Sequence, residues 1–517
     1  MNALKAIFMD PWGSRQGIGI FLSFLGLWSA YKIAKTVITA HTHLRQFPGP
    51  FLARYSRIWM VQALRSEACN IWYQEVNNRY GLVARIGPNH LVTNDPDVFR
   101  TILGRHSRYE RGPWFDSLRI DPHRPNLITD RDRAHHEILR SKLAAGYGGK
   151  DVEDFERTIE ENLTNWVHYI QANAMSNQQA TLEFDIARSI QWLLYDMICR
   201  LCFGVPGGFV DEHKDQHDFQ RTLEERLPIV EQFAVLTEVN SWIRMIDRIP
   251  GLRRILPSSN DKEGLGVILR LAENAIVERQ DPQHNPHKFG ILDSWLRTDV
   301  DRNILPSEIA IALFAGSDTT ATSIRALLLH VISNPLVYLR LRDEVFEAQR
   351  RGAISDPVRE LELQHLPYLQ ACIKEGLRIF PPITALRERV VPPEGDTIGS
   401  FIPGGTNIGL NLPGLLAHST FGPDATVFRP ERWLDATPDQ LREMERIHEL
   451  VFNWGFTRCL GIRMAHLVIG KFFVEVLRRW DITTTRPQQP WRSRCHGIFY
   501  QKDFFVRITE RNCETGR

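Results

Sequence analysis

The stretch Phe452-Asn453-Trp454-Gly455-Phe456-Thr457-Arg458-Cys459-Leu460-Gly461 decides how this chain is read, because it delivers one cysteine to the start of the helical run Ile462 to Trp480. Glycines 455 and 461 allow tight turning and close approach of a flat ring. At a helix N-terminus, free backbone N–H groups and the positive end of the dipole favour an anion and lower a thiol's pKa. A thiolate made that way is a good iron ligand, and N–H bonds to its sulfur tune the metal. Taken alone, the loop also reads as a core cysteine after a turn.

Three other constellations bear on that choice. A long apolar helix is expected from Ser307, as N-cap after Pro306, to Asn334 before Pro335. Inside it lies Ala315-Gly316-Ser317-Asp318-Thr319-Thr320. Asp318 and Thr319 are expensive in such a helix unless functional or satisfied. Ala315 and Thr319 stand one turn apart on one face, and Gly316 permits a bend. Hydroxyls back-bonded to carbonyls at a kink are the bland alternative. Glu375 and Arg378 share a face of a helix that opens near Pro367 and stops at Pro381-Pro382, and Arg432 in Phe428-Arg429-Pro430-Glu431-Arg432-Trp433 can complete a buried triad with them. His136 and Arg140 lie one turn apart and can clamp a carboxylate, as can Arg387 or Arg389, with Arg389 preferred.

Together these motifs resemble the cytochrome P-450 superfamily, whose haem-binding signature is Phe-x-x-Gly-x-Arg-x-Cys-x-Gly. Phe452, Gly455, Cys459 and Gly461 match at the right spacing. Thr457 stands where the signature has arginine, with Arg458 displaced by one, and Phe456 is an unusual bulky aromatic. The stretches Gly146-Tyr147-Gly148-Gly149 and Thr457 to Ala465 look most like membrane-bound filamentous-fungal members such as the pisatin-demethylase-like group.

The resemblance implies a mainly α fold with small β-sheets, one large haem-binding domain, and haem b with Cys459 as axial ligand. It implies that His136, Arg140, Arg389, Phe452, Gly455, Arg458 and Gly461 hold the cofactor. Thr319 would hydrogen-bond the bound oxygen, and Asp318 would relay protons for O–O cleavage. Glu375, Arg378 and Arg432 would be structural. Trp114, Phe115, Ala315, Leu386 and Phe499 would line a pocket for an apolar small molecule, a terpenoid, polyketide or alkaloid of secondary metabolism. The expected activity is insertion of one oxygen atom from O2, with electrons from an NADPH–cytochrome P-450 reductase. Arg131, Arg133, Lys142, Arg458 and Arg463 could form a basic docking patch for it. Two alternatives are a haem isomerase or dehydratase of the same fold, which typically lacks the Asp318–Thr319 pair, and a non-enzymatic membrane haem-binding protein.

The remaining sequence sets the context. Residues 17–37, almost wholly apolar as far as Tyr31, approach the ~20 residues that span a bilayer. They read as an anchor helix, preceded by a lumenal segment at 1–16. A linker at 38–50 ends in Pro48-Gly49-Pro50, and the catalytic domain covers 51–517. Lys32 and Lys35 at the far end of the span and Arg45 beyond it, against Lys5 and Arg15 before it, place the body on the cytosolic face of the endoplasmic reticulum. The 517 residues carry a formal charge of +2, so no global field points to nucleic acid. Seven cysteines are too few and odd in number for a disulfide framework, and Cys199-x-x-Cys202 reads as two core thiols. Gly146 to Lys150 lacks the Ser or Thr that a phosphate loop needs after its lysine. Hairpins are expected at 83–93 and at 397–409, the second turning at Pro403-Gly404-Gly405.

Overall fold

The fold is built around the helix Leu305–Ile332, which is apolar and buried nearly all round. A helix of that kind has to lie inside a large core. It packs along Ile186–Phe203 and against Leu265–Glu278, Pro367–Ile379 and Ile462–Arg479. Pro306 occupies its first turn, where a missing N–H costs nothing. The helix therefore begins at Leu305, two residues before the expected Ser307. It ends at Ile332, and the chain bends by 108° into Pro335–Arg350. Asn334 caps that next helix by accepting from the Val337 N–H at 3.4 Å. The computed structural model describes residues 44–511, apart from 122, 178–179, 239–258, 262–264 and 280–288, together with scattered positions between 19 and 38.

The largest sheet has five short strands. Val83–Gly87 pairs antiparallel with His90–Thr93, which runs parallel to Asn407–Leu410. Asn407–Leu410 pairs antiparallel with Arg389–Val390, and that strand with Glu110–Arg111. The 83–93 hairpin forms as expected. The 397–409 hairpin does not: Asp396–Ile398 pairs with Ser400–Ile402 across Gly399, at φ +68°. Pro403 to Thr406 instead folds back on Val391 by hydrogen bonds between backbones, which sends Asn407–Leu410 into the large sheet. Gly399 supplies the positive φ that a two-strand reversal needs, so it outranks the Pro-Gly-Gly run. The result is mainly helical with small sheets, as the sequence leads one to expect.

The expected anchor at 17–37 and the segment 1–16 lie largely outside the described residues. At 26–31 the backbone is helical, and Leu27, Tyr31 and Ile33 are exposed. Among the described residues no single helix is long and apolar enough to cross a membrane; the pair Leu305–Ile332 and Pro335–Arg350 passes together, but the first of these is the core helix. The end of the linker is docked to the domain. Leu44 and Phe47 are buried, and Pro48 accepts the Arg85 N–H at 2.7 Å.

Candidate active site: a cysteine loop facing an acid–alcohol helix

The cysteine loop is a single 3₁₀ turn, Gly455–Thr457, leading into Ile462–Arg479. Gly455 sits at φ +60°, and a Cβ there would collide with the Leu103 carbonyl. Glycine is therefore needed for both reasons. Trp454 is held under the Arg100 guanidinium, 4.1 Å from its ring centroid. The Cys459 N–H donates to the Phe452 carbonyl at 2.8 Å, closing the loop. Phe452 also packs on His466, centroids 5.1 Å apart.

Cys459 is the one exposed thiol among the described cysteines. Yet burial is the largest influence on it and pushes its pKa up; the Gly461 N–H, Arg140 and Arg458 counter this only in part. A side chain that is accessible and also desolvated lines an internal opening. The helix terminus thus does not by itself make a thiolate, contrary to the reading from sequence. Coordination to a cation would supply the difference.

The two departures from the signature have clear roles. Thr457 is buried and donates its hydroxyl to the Trp454 carbonyl at 3.1 Å, locking the turn. Phe456 lies edge-on to His136, centroids 5.9 Å apart, with Arg133 over its ring at 4.4 Å. It ties the cysteine loop to the helix Arg133–Tyr147, which carries His136 and Arg140.

Across from the loop, between Ser307 and Leu328, only Phe314, Ala315, Gly316 and Thr319 of the central helix are partly accessible. They form one short strip on a buried rod. Gly316 is pressed by Met464, from the helix that follows Cys459: a Cβ at 316 would lie 3.3 Å from the Met464 methyl. The strip and the cysteine loop therefore sit on adjoining elements. Thr319 Oγ1 donates to the Ala315 carbonyl at 2.8 Å, the back-bonded arrangement foreseen as the bland reading. Asp318, next to Thr319 in the chain, is buried. Burial pushes its pKa up to about 7, against the pull of Arg325, and its Oδ2 has no partner.

Beside His136 lies a group of cations in which Arg111 joins Arg140, Arg387 and Arg389, the candidates already marked in the sequence. Arg111 Nη2 stands 3.1 Å from His136 Nε2. Arg389 is fully buried and donates to the Arg387 carbonyl at 2.6 Å. Arg387, at φ +45°, is also buried. Arg111 Nε, Arg389 Nε, Arg387 Nε and Nη2, and His136 Nδ1 have no hydrogen-bond partner among the described residues. Arg140 has no ion-pair or hydrogen-bond partner among the described residues, while burial lowers its pKa and Cys459 raises it. Burial, then Arg111, Arg140 and Arg389, push His136 down to about 3, so it is neutral. Buried cations without carboxylates are costly unless an anion joins them. This is a site shaped for a buried dianion next to Cys459.

The Glu375 triad forms as expected. Arg378 binds Glu375 through two nitrogens at 2.9 and 2.8 Å, and Arg432 Nε adds a bond at 2.9 Å. The Arg429 N–H and Trp433 Nε1 complete the shell, each at 2.9 Å. All three ionic side chains are buried. Trp433 in turn packs edge-on against His448, at 5.2 Å, just ahead of the cysteine loop. The network therefore braces that loop through Trp433.

The cytochrome P450 family model matches residues 48–504. The chain belongs to the cytochrome P450 family. It is 33% identical over 490 residues to cytochrome P450 monooxygenase ABA1 of Pyricularia oryzae, covering 93% of this chain and 95% of that one. With cytochrome P450 monooxygenase aba1 of Botryotinia fuckeliana it shares 32% over 474 residues, 90% and 92% of the two chains. Cytochrome P450 monooxygenase cicH of Emericella nidulans is 27% identical over 481 residues, covering 91% and 94%. A crystal structure of a cytochrome P450, CYP102L1, superposes with a TM-score of 0.65 at 20% identity, over 85% of this chain and 94% of that one, which shows the shared fold. The chain is thus an oxidoreductase of the monooxygenase class with a haem–thiolate centre.

This P450's own residues fit that group. The dianion site suits the two haem carboxylates, with Arg111, His136, Arg140, Arg387 and Arg389 to hold them, and Cys459 offers the sulfur. Phe115 lies between Arg111 and Arg389, its centroid 5.2 Å from each; it belongs to this clamp as well as to the pocket. Trp114 packs edge-on against Phe115 at 5.0 Å, Leu386 is buried on Gly409, and Phe499 is buried on Phe380 at 4.0 Å. Of the five expected pocket residues only Ala315 is partly accessible, the other four being buried. Arg458 is exposed, acting on Cys459 by charge alone.

Proposed function

We propose that this P450 is anchored in the endoplasmic reticulum membrane, takes electrons from NADPH–cytochrome P-450 reductase, and oxygenates an apolar small molecule of fungal secondary metabolism. The observation that carries the reading is the accessible strip Ala315–Gly316–Thr319 beside Cys459, backed by a protonatable Asp318. When bound, the haem supplies an iron that activates dioxygen with electrons delivered from outside. The chain's residues do the rest. Thr319 Oγ1 needs only a χ1 rotation away from the Ala315 carbonyl to present its hydroxyl on the strip. Asp318 holds a proton near neutral pH at Oδ2 and can resupply that hydroxyl. Trp114, Phe115 and Ile383 form an apolar cluster with Ala385, which suits an apolar ligand.

Membrane attachment is supported by a run of exposed apolar side chains just after the linker. Phe51, Leu52, Tyr55 and Ile58 are exposed, as are Ile229 and Phe233 on the neighbouring helix Phe219–Ala234. Arg57 ties the two elements together through the Val235 carbonyl, at 2.8 Å, and Glu238. With the apolar 17–37 segment, this face suits a lipid surface. Of the basic residues considered for reductase docking, Arg131, Arg133, Lys142 and Arg463 pair with Asp116, Glu137, Asp299 and Glu360. Arg458 has no carboxylate partner among the described residues and is the cation left to offer a redox partner.

A reduced, carbon-monoxide difference spectrum of the full chain beside Cys459→Ser tests the centre. A red-shifted Soret band lost in the variant is expected; the same band in both sinks the ligand assignment. Substrate turnover that needs NADPH and reductase supports the monooxygenase, whereas turnover without either supports the isomerase or dehydratase alternative.

A further inference from the structure

Glu231 is the most anomalous side chain near the pocket. It lies in the last turn of the helix Phe219–Ala234 and is 1% exposed. The helix turns this carboxyl inward, while Ile229 and Phe233, two residues to either side, are exposed. That is the reverse of an ordinary surface helix. No cation pairs with Glu231 among the described residues, and its Oε1 has no hydrogen-bond partner. Such a group is retained against a substantial desolvation cost.

Its neighbours belong to segments that the family resemblance assigns to the substrate pocket. Oε2 lies 2.6 Å from where a Cβ at Gly497 would stand, and Ala385 presses the same point at 3.3 Å. Gly497 sits at φ +113° and accepts the N–H groups of Thr384 and Ala385, which joins the two pocket segments under Glu231. Ala234, one turn on, shares an apolar cluster with Trp114, Phe115 and Ala385. Two more unpartnered buried oxygens lie within electrostatic reach of one another here: Tyr500 Oη, which feels Glu231 first and Asp318 next, and Asp318 Oδ2. Burial, then Cys495, pushes the Glu231 carboxyl up to about 8, so it carries a proton at neutral pH.

We infer that Glu231 is a specificity-determining residue that hydrogen-bonds an uncharged oxygen, hydroxyl or carbonyl, on an otherwise apolar substrate, with Tyr500 as second partner. This rests on the apolar-substrate reading above and narrows it to oxygenated skeletons. A neutral carboxyl can donate to a carbonyl and both donate to and accept from a hydroxyl. A site whose buried polar groups need a partner discriminates strongly against ligands that lack one. An ammonium ligand would instead require the ionised form.

The test is Soret titration of the haem-loaded full chain in phospholipid vesicles with two matched pairs, farnesane against farnesol and androstane against androstanol, plus farnesylamine. The wild type is expected to bind at least one alcohol about tenfold more tightly than its hydrocarbon, the worth of one good buried hydrogen bond. Glu231→Leu should erase that ratio by weakening the alcohol and leaving the hydrocarbon, while Glu231→Gln, which still donates and accepts, should keep most of it. Equal affinities within both pairs, an unchanged ratio in Glu231→Leu, or a preference for farnesylamine over farnesol overturns the inference. Alcohols that bind where hydrocarbons do not support Glu231 and count against a largely apolar pocket. If Glu231→Leu does not fold, as judged by its thiolate Soret band, a Glu231→Gln ratio equal to one overturns the inference on its own. Silence from every ligand with that band intact overturns the apolar-substrate reading and the inference with it.

Discussion

Arg111 and His136 meet nitrogen to nitrogen at 3.1 Å, and among the described residues no carboxylate pairs with either. Arg389 and Arg140 add positive charge to the same spot. The protein has gathered like charges in a buried place, and only an anion of matching charge makes that arrangement stable.

Arg111→Met should therefore have opposite effects with and without haem. Without it, the variant is expected to melt higher, because mutual repulsion and desolvation are relieved. With it, haem should leave about tenfold to a hundredfold faster, the loss of a hydrogen bond to a charged group at about 1.5–3 kcal/mol. Transfer to an excess of apomyoglobin reads the second effect and calorimetry the first. A variant that loses stability in both forms would show Arg111 to be a packing residue.

Asp318 gives a pH signature. Its pKa rises from the ordinary aspartate value of 3.8 to about 7 on folding. The unfolded chain ionises first, so the stability lost to this residue grows as pH climbs from about 4 to 7 and is complete above that. Asp318→Asn should match the wild type in stability at pH 4 and exceed it at pH 8, while NADPH-dependent turnover falls by 10²-fold or more, the usual worth of a general acid. Thermal melts across that range, alongside turnover, check both halves. A variant no more stable than the wild type at pH 8 would mean that Asp318 ionises in the folded protein without penalty.

The parts of this site legible in sequence were those whose partners lie close along the chain. Cys459 announces itself by Gly455 and Gly461, and Glu375 by an arginine one turn away. The dianion clamp was visible except for one member: His136 and Arg140 share a helix turn and Arg387 and Arg389 follow a Pro-Pro stop, but Arg111 is a lone arginine in a loop. Only the pairing of Glu110–Arg111 with Arg389–Val390 brings it to the site. Glu231 was hidden for a related reason. Glutamates are usual on amphipathic helices, and nothing local marks one as turned inward. Phe456 looked like a defect in the motif because its packing partners, His136 and Arg133, are more than three hundred residues away. The misplaced second hairpin is a case of one turn signal, Pro403-Gly404-Gly405, competing with the quieter Gly399.

The Glu375 network should be the stability bottleneck of the cofactor site. Glu375 accepts from both arginines, Trp433 and the Arg429 N–H, all buried. Glu375→Ala leaves two buried arginines with no carboxylate at their centre, a loss of about 3–5 kcal/mol. Because Trp433 touches His448 just before the loop, the variant is expected to accumulate as haem-free protein. Arg432→Lys should be nearly as damaging, since a lysine cannot replace the fork that reaches Glu375, Asp424 and the Val427 carbonyl. Haem content per protein by pyridine haemochrome measures this, and full occupancy in Glu375→Ala would refute it.

The last prediction contrasts two glycines with the same backbone angle. Gly352 has φ +67° with nothing within 4 Å of an added Cβ, and Gly455 has φ +60° with the Leu103 carbonyl in the way. Gly352→Ala should cost only the left-handed strain, about 1–2 kcal/mol. Gly455→Ala adds a collision with main chain, which cannot move aside as a side chain can. The loop must then shift away from the helix Pro96–Leu103, carrying Trp454 off Arg100 and Cys459 with it. The expected outcome is a folded Gly352→Ala with an unchanged carbon-monoxide band, and a Gly455→Ala whose band is lost or moved to the position of a non-thiolate haem. Identical spectra for the two variants would mean that the loop tolerates displacement and that the position of Cys459 is set elsewhere.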